Sequence, residues 1–247
     1  MMDKKELTVI KELCKENQKF AEIYNALITE KCQVLEAANI EFRNRFALIF
    51  GNMQLMEAND KSLSENANWM QLADDIKGLH ELLEQFTLYI TSDKMKSASM
   101  NLQILVQEIF QEFHAISIMK EIEMKLEVTK EAEEISKTYV TDYIKLREIL
   151  MNLVKNAVET VEIGGKITVV MERDEEDTLK ISVKNSRSSI TDENTQEIFE
   201  PKFISKRGKY ALELPLCAKF AAMLDGTIQV DSTEQETSFQ LCLPIAV

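Results

Sequence analysis

The chain has no apolar run approaching the roughly 20 residues that a membrane-spanning helix needs. Its opening, MMDKKELTVIKELCKEN, is too charged for the apolar core of a signal peptide. Both absences predict a cytoplasmic protein with no membrane partner. Cysteine is sparse and scattered: Cys14, Cys32, Cys217 and Cys242 form no CxxC pair, which argues against a zinc ribbon or a dithiol redox centre and leaves reduced thiols as the expectation. Histidine is limited to His80 and His114. Positive charge is in deficit, 29 Lys and Arg against 42 Asp and Glu for a net charge of -13, so a nucleic-acid partner is not expected and a basic partner or patch fits better. Glycine occurs only six times, which leaves little material for a loop that holds phosphate on bare backbone.

What is present is apolar patterning. With 247 residues and 45% hydrophobic content the chain buries a full core, as one large domain or two modest ones. Small and charged residues from Ser92 to Ser99 interrupt the pattern and divide it into an N-terminal part, 1–95, and a C-terminal part, 96–247. Before the break, Ile10, Leu13, Asn17, Phe20, Tyr24, Leu27, Lys31, Val34, Ala38, Glu41, Arg45, Leu48, Asn52 and Leu55 follow steps of three and four, the seam of one long helix. Ile28, Leu35, Phe42, Ile49 and Met56 widen its apolar face. After a loop around Asn59 to Asn66, with Ser64 as a candidate cap, Trp69, Leu72, Ile76, Leu79, Leu83, Phe86 and Ile90 repeat the pattern in a second helix. A lone hairpin would leave this surface in water, so pairing of two hairpins into a four-helix bundle, a homodimer, is expected.

The C-terminal part mixes elements. Leu102 to Ile116 reads as a helix and Met124, Leu126 and Val128 as a strand. Ile167 to Met171 and Leu179 to Val183 alternate around a turn at Asp174 to Asp177, a hairpin. Leu212 to Leu224 is helical provided Pro215 lies in its first turn, and strands at Ile228–Val230 and Phe239–Leu243 close a mixed sheet covered by helices. The predicted class is α+β: a helical hairpin followed by an α/β sandwich.

Between them lies REILMNLVKNAVE, Arg147 to Glu159. Glu148, Asn152 and Asn156 recur every four residues, with Glu159 a turn further on, and share one helix face. Carboxylate and amide oxygens are the hard ligands that magnesium takes when it bridges to phosphates. Ile149, Leu150, Leu153, Val154, Ala157, Val158 and Val161 form the opposite, buried face.

EILMNLVKNAVE resembles the N box of the gyrase, heat-shock chaperone, histidine kinase and mismatch-repair ATPases, and IFEPKFISK, Ile198 to Lys206, resembles the F box of bacterial histidine kinases. The helix, the Asp225-Gly226 turn and the strand that follow are similar to the close of the same domain. The resemblance covers about the last three-fifths of the chain and implies Mg-ATP binding through Glu148, Asn152, Asn156, Asn185 and Lys206, with Asn156 as metal ligand only if Mg-ATP binds.

Several positions depart from the pattern. The family's first hairpin helix carries an H box like SHELRNPL, whose histidine accepts the phosphoryl group. Here the run is NIEFRNRFALI, with Ile40 at the phosphoacceptor position and Arg45 at the proline. Isoleucine has no lone pair and forms no phosphoramidate. His80 and His114 lie elsewhere and read as packing or surface residues. The DxGxG box has become Asn185-Ser186-Arg187-Ser188-Ser189, in which a neutral amide replaces the carboxylate that accepts the adenine amino group. The GxGLGL box has become Lys209-Tyr210-Ala211-Leu212-Glu213-Leu214, with Glu213 near the triphosphate. Lys202, Lys206, Arg207 and Lys209 form a basic stretch.

The resemblance and its gaps imply a catalytically inactive histidine-kinase-like protein of two-component signalling, with no cofactor expected. It would bind a response regulator or a partner kinase through Glu41, Phe42, Arg43 and Asn44, and receive its input from a partner because no sensor segment precedes the hairpin. Two alternatives stand: a phosphorelay transferase using His80 or His114, and an ATP-binding sensor or weakly active kinase.

Overall fold

The computed structural model describes residues 4–91, 94–174, 178–186, 197–200 and 212–245. The chain divides into two compact units, Met1–Asp93 and Lys94–Val247.

The N-terminal unit consists of α1 (Lys4–Glu16), α2 (Gln18–Asn59), a 3-10 turn (Lys61–Glu65) and α3 (Ala67–Thr91). The expected single helix through Ile10 to Leu55 is corrected at Asn17. Its backbone is extended and its side chain accepts from the Phe20 N–H, so a new helix starts where the seam alone reads as continuous. At the next turn Asn66, not Ser64, caps α3, its Oδ1 accepting from the Asn68 and Trp69 amides; Ser64 Oγ instead donates to the Lys61 carbonyl. Trp69 Nε1 donates to Glu57, tying the start of α3 to the end of α2.

One polar layer interrupts the α2–α3 seam. Asn39 is buried and donates through Nδ2 to Thr87 Oγ1, whose own hydrogen goes to the Leu83 carbonyl at 2.7 Å. Asn39 Oδ1 is left buried without a partner. Much apolar surface of α2 stays uncovered within one chain: Ile23, Leu27, Val34, Leu48 and Leu55 are 54%, 53%, 64%, 63% and 62% exposed.

The C-terminal unit runs β1 (Ser97–Met100), α4 (Leu102–Glu112), α5 (His114–Met119), β2 (Glu123–Val128), α6 (Lys130–Ser136), β3 (Tyr139–Asp142), α7 (Tyr143–Thr160), β4 (Lys166–Arg173), β5 (Thr178–Ser186), α8 (Glu213–Met223), β6 (Thr227–Ser232) and β7 (Glu236–Pro244). The main sheet has the order β2-β4-β5-β7-β6, with β2 and β4 parallel and the other pairs antiparallel. Ile167, Val169 and Met171 on β4 and Leu179, Ile181 and Val183 on β5 are buried, and α7, which supplies Leu146, Ile149, Leu153 and Ala157, packs against β5. This is the helix-covered mixed sheet that the alternating pattern predicts. Pro215 is the third residue of α8, where its missing N–H costs no helical bond. Asp225 takes a left-handed conformation (φ 56°) after α8, and Gly226 N–H returns to the Ala221 carbonyl at 2.8 Å. A Cβ on Gly226 would stand 2.5 Å from the Cys242 carbonyl oxygen, so the turn needs its glycine.

Three local readings change. Ser97–Met100, placed in the interrupting segment, forms β1 and pairs antiparallel with β3. The helix read through Ile116 breaks at Phe113 into α4 and α5, and α6 has too short an apolar pattern to be seen in the sequence.

Asp142 and Lys145 hold the entry to α7. Both are buried, 3.0 Å apart, and Lys145 Nζ also donates to the Lys94 carbonyl at 2.7 Å and lies 5.9 Å from the centre of the Phe220 ring. Asp142 Oδ1 accepts from the Ile144 and Lys145 amides and Oδ2 from the Lys96 amide. Burial alone would raise the Asp142 carboxyl, but the hydrogen bonds from Lys96 and Lys145 outweigh it and hold the group below the ordinary value. The folded-state pKa therefore lies under the unfolded one. The stabilisation is complete above about 3.9 and is lost as the pH falls through the lower, folded value. Lys145→Ala should cost about 3–5 kcal/mol in urea denaturation by leaving Asp142 buried and unpaired. Asp142→Asn should flatten the acid limb of the stability-versus-pH curve, and an unchanged limb would count against the pair.

Candidate functional site

The α7 face read from spacing is present. Glu148, Asn152 and Asn156 lie on one side of the helix, each partly exposed, while all seven residues of the opposite apolar face are buried except at their edges. Burial raises the Glu148 carboxyl, and the neighbouring Arg147 guanidinium offsets this only in part. Arg147 itself is turned to Glu112 at 2.6 Å. Asn152 Nδ2 is buried and the side chain is turned to the Cys217 thiol. Behind it, Cys217 of α8 is fully buried, its thiol held far in the neutral form by desolvation.

Asn185, near the end of β5, is 1% exposed and donates through Nδ2 to Thr160 Oγ1 at 3.0 Å, while its Oδ1 is buried and unpaired. Thr160 closes α7, so the chain brings the first residue of the altered DxGxG box against the end of the N-box helix. Glu213 does not stand as an isolated negative charge: it pairs with Lys155 of α7 at 3.0 Å. Phe199, within the F-box match, packs edge-on against Phe239 with ring centres 6.4 Å apart. Lys202, Lys206, Arg207, Lys209, Tyr210 and Ala211 lie outside the described residues, as do Arg187, Ser188 and Ser189.

One orphaned amide atom fits a nucleotide: Asn185 Oδ1 offers an acceptor to a base amine, while Glu148, Asn152 and Asn156 offer the oxygens that a magnesium ion would take. Bound there, Mg-nucleotide would supply a phosphoanhydride for transfer. Among the described residues there is no ready-made group of three or more His, Cys, Asp or Glu for a metal, so the phosphates themselves would have to complete its shell.

In the N-terminal unit Ile40 is 59% exposed and Phe42 56% exposed on α2. Ile40, Arg43, Asn44, Phe46, Ala47, His80 and Leu83 line a groove of about 230 Å³. Arg43 reaches across to Glu84 at 2.9 Å, and Arg45 pairs with Glu41 at 2.7 Å. Nothing in the linear spacing placed His80 opposite Ile40; only the helix pairing does. His114 begins α5 in the C-terminal unit, far from this groove in sequence.

Residues 141–247 match the family described as histidine kinase-, DNA gyrase B- and HSP90-like ATPases. Sporulation kinase D of Bacillus subtilis is 24% identical over 207 residues, 83% of this chain and 40% of that protein. The adaptive-response sensory kinase SasA of Rippkaea orientalis is 31% identical over 149 residues, 58% of this chain and 37% of that one. The chain thus spans less than half the length of these relatives. The catalytic domain of histidine kinase ThkA superposes with a TM-score of 0.55 at 28% identity, covering 61% of this chain and 99% of that domain. Full-length ShkA, solved in complex with AMPPNP, shares the fold over 87% of this chain and 46% of its own, with a TM-score of 0.72 at 20% identity. Residues 141–247 of the C-terminal unit thus match this ATPase family, and with the helical region before them the chain has the build of a histidine kinase catalytic core. Among the described residues no helix is long and apolar enough to cross a membrane.

Glu148 gives a test of the site's cost. Its folded-state pKa is above the unfolded value, so the ionised carboxylate subtracts stability at neutral pH and ceases to do so below the unfolded value of about 4.3. Glu148→Gln should raise the thermal midpoint at pH 7 by about 1–2 °C and leave it unchanged near pH 4. A lowered midpoint at pH 7 would show that the carboxylate has an unseen stabilising partner.

Proposed function

We propose that this chain is a histidine-kinase-like component of two-component signalling that acts by binding a response regulator or a partner kinase, without accepting phosphate at the usual position. The observation that carries the reading is Ile40. It stands in the groove at the phosphoacceptor position and offers only carbon to an incoming phosphorus. Around it, Glu41, Phe42, Arg43 and Asn44 are all exposed and offer an aromatic ring, a guanidinium and an amide to a partner. ThkA, whose fold matches 91% of this chain at a TM-score of 0.61 and 21% identity, has been solved in complex with the response regulator protein TrrA, which supports a receiver as the kind of partner.

The uncovered apolar surface of α2 supports a homodimer through a four-helix bundle, since the exposed leucines, isoleucines and valines exceed what a solitary hairpin keeps in water. Four free thiols suit a reducing, cytoplasmic location. A second reading, a nucleotide sensor that binds Mg-ATP without transferring phosphate, is favoured by one observation: the buried, unpaired Oδ1 of Asn185.

The purified chain incubated with γ-labelled ATP should acquire no covalent label. Receivers drawn from the source organism should bind it, and Arg43→Glu should weaken that binding about tenfold or more as Coulombic complementarity is reversed. Label on His80 or His114 after mixing with a phosphorylated receiver would instead establish a phosphorelay transferase. Titration calorimetry with Mg-ATP decides the second reading: heat at micromolar nucleotide supports it, and a flat trace at millimolar nucleotide removes it.

A further inference from the structure

A neutral asparagine in place of an aspartate raises a question of polarity. A carboxylate presents oxygen on both sides, whereas an amide presents oxygen on one and N–H on the other, and a half-turn about its last torsion exchanges them. What an amide at position 185 recognises therefore depends on what fixes its rotation.

Thr160 fixes it. Its hydroxyl has one hydrogen, and that hydrogen is directed to the Asn156 carbonyl at 2.7 Å, with the Ala157 carbonyl at 3.5 Å as a secondary acceptor. Both are backbone acceptors of the last turn of α7, and neither can return a proton. With that hydrogen on Asn156 the hydroxyl presents lone pairs to Asn185, which turns Nδ2 to it at 3.0 Å. The oxygen then points away, buried and without a partner. Turning the amide over would require the hydroxyl hydrogen to leave the Asn156 carbonyl for Oδ1 and would leave the amide N–H₂ buried and unpaired, so the observed arrangement is favoured.

We propose that Thr160 is a positioning residue that locks Asn185 as a hydrogen-bond acceptor, so that the site takes a purine bearing an exocyclic amine and rejects one bearing a carbonyl at the same place. The inference rests on the nucleotide-binding reading and adds to it the residue that sets base selectivity. Adenine presents an N–H donor to Oδ1, whereas guanine presents O6, an acceptor facing an acceptor. Thr160 touches neither base nor phosphate; it acts through Asn185.

Its signature is a dependence on the residue at 185. Thr160→Val keeps the shape and removes the acceptor, which frees the amide to turn. In the natural Asn185 background this should weaken ADP binding about tenfold, the worth of one oriented hydrogen bond, and narrow the ADP-to-GDP preference. In an Asn185→Asp background, where both side-chain oxygens accept whichever way the carboxylate turns, Thr160→Val should leave the ADP-to-GDP preference intact. Thr160→Ser should restore the natural behaviour. An equal loss of that preference in both backgrounds would mean that Thr160 matters only for packing, and would overturn the proposal. If ADP binds in neither background, the nucleotide reading and the base selectivity fall together. The lock itself is read separately in the ligand-free protein: a nuclear Overhauser contact between the Asn185 amide protons and the Thr160 methyl supports it, and a freely turning Asn185 amide overturns it.

Discussion

The arrangement of the C-terminal unit depends on one carboxylate. Asp142 gathers four donors: the Ile144 and Lys145 amides on Oδ1, which cap α7, and the Lys96 amide and Lys145 ammonium on Oδ2. Lys145 then reaches the Lys94 carbonyl and the face of Phe220 on α8. The start of β1, the first turn of α7 and the middle of α8 thus meet at a single buried ion pair. Burying both charges is costly by itself, and the pair is tolerated because nearly every donor and acceptor is used. Geometry is what it secures. Glu148, Asn152 and Asn156 all lie on α7 downstream of this point, and a helix whose first turn is fixed on three sides presents its later turns at a fixed rotation.

The same side-chain device occurs in both units with different consequences. Thr87 and Thr160 each give their hydrogen to the carbonyl four residues back, Leu83 and Asn156, and each then accepts from an asparagine amide. In both cases the asparagine is left with a buried, unpaired oxygen. For Asn39 that oxygen lies inside a helix seam, where an unpaired polar group costs stability and gains only register: shifting either helix would break the bond to Thr87. For Asn185 it lies at the end of a strand beside α7, where, on the nucleotide-binding reading, an unpaired acceptor is half of a recognition event. Local chemistry does not distinguish the two; the surroundings do.

The large features were legible because they rest on periodicity. The N-box face needed only a four-residue spacing, and the buried strands of β4 and β5 only alternation. What escaped depends on contacts between positions distant in sequence or on a single polar side chain overriding the pattern. Asn17 ends a helix that the seam would continue, since its side chain satisfies the Phe20 amide as well as another turn would. β1 is four small or sulfur-bearing residues, SASM, whose partner β3 lies some 40 positions on, so nothing local marks it as a strand. Nothing in the spacing marks Thr160, and its bond from Asn185 exists only because β5 brings that residue to the end of α7. His80 entered the Ile40 groove in the same way, through the pairing of α2 with α3.

Loss of chemistry at one position does not release the positions around it. With isoleucine at 40, the groove keeps an arginine, an asparagine and a histidine on its walls, and Arg43 remains fixed to Glu84 across the helix pair. An exposed isoleucine in such a place favours an apolar contact over a hydrated one by about 25 cal/mol for each Å² covered. On the reading proposed above, a branched alkyl group where a reactive nitrogen would stand makes the groove a site of adhesion instead of transfer. A partner shaped to reach a nucleophile there would meet carbon and stay bound without reacting. The chain would then act on such a partner by occupancy, with a strength set by the surrounding charged and aromatic side chains.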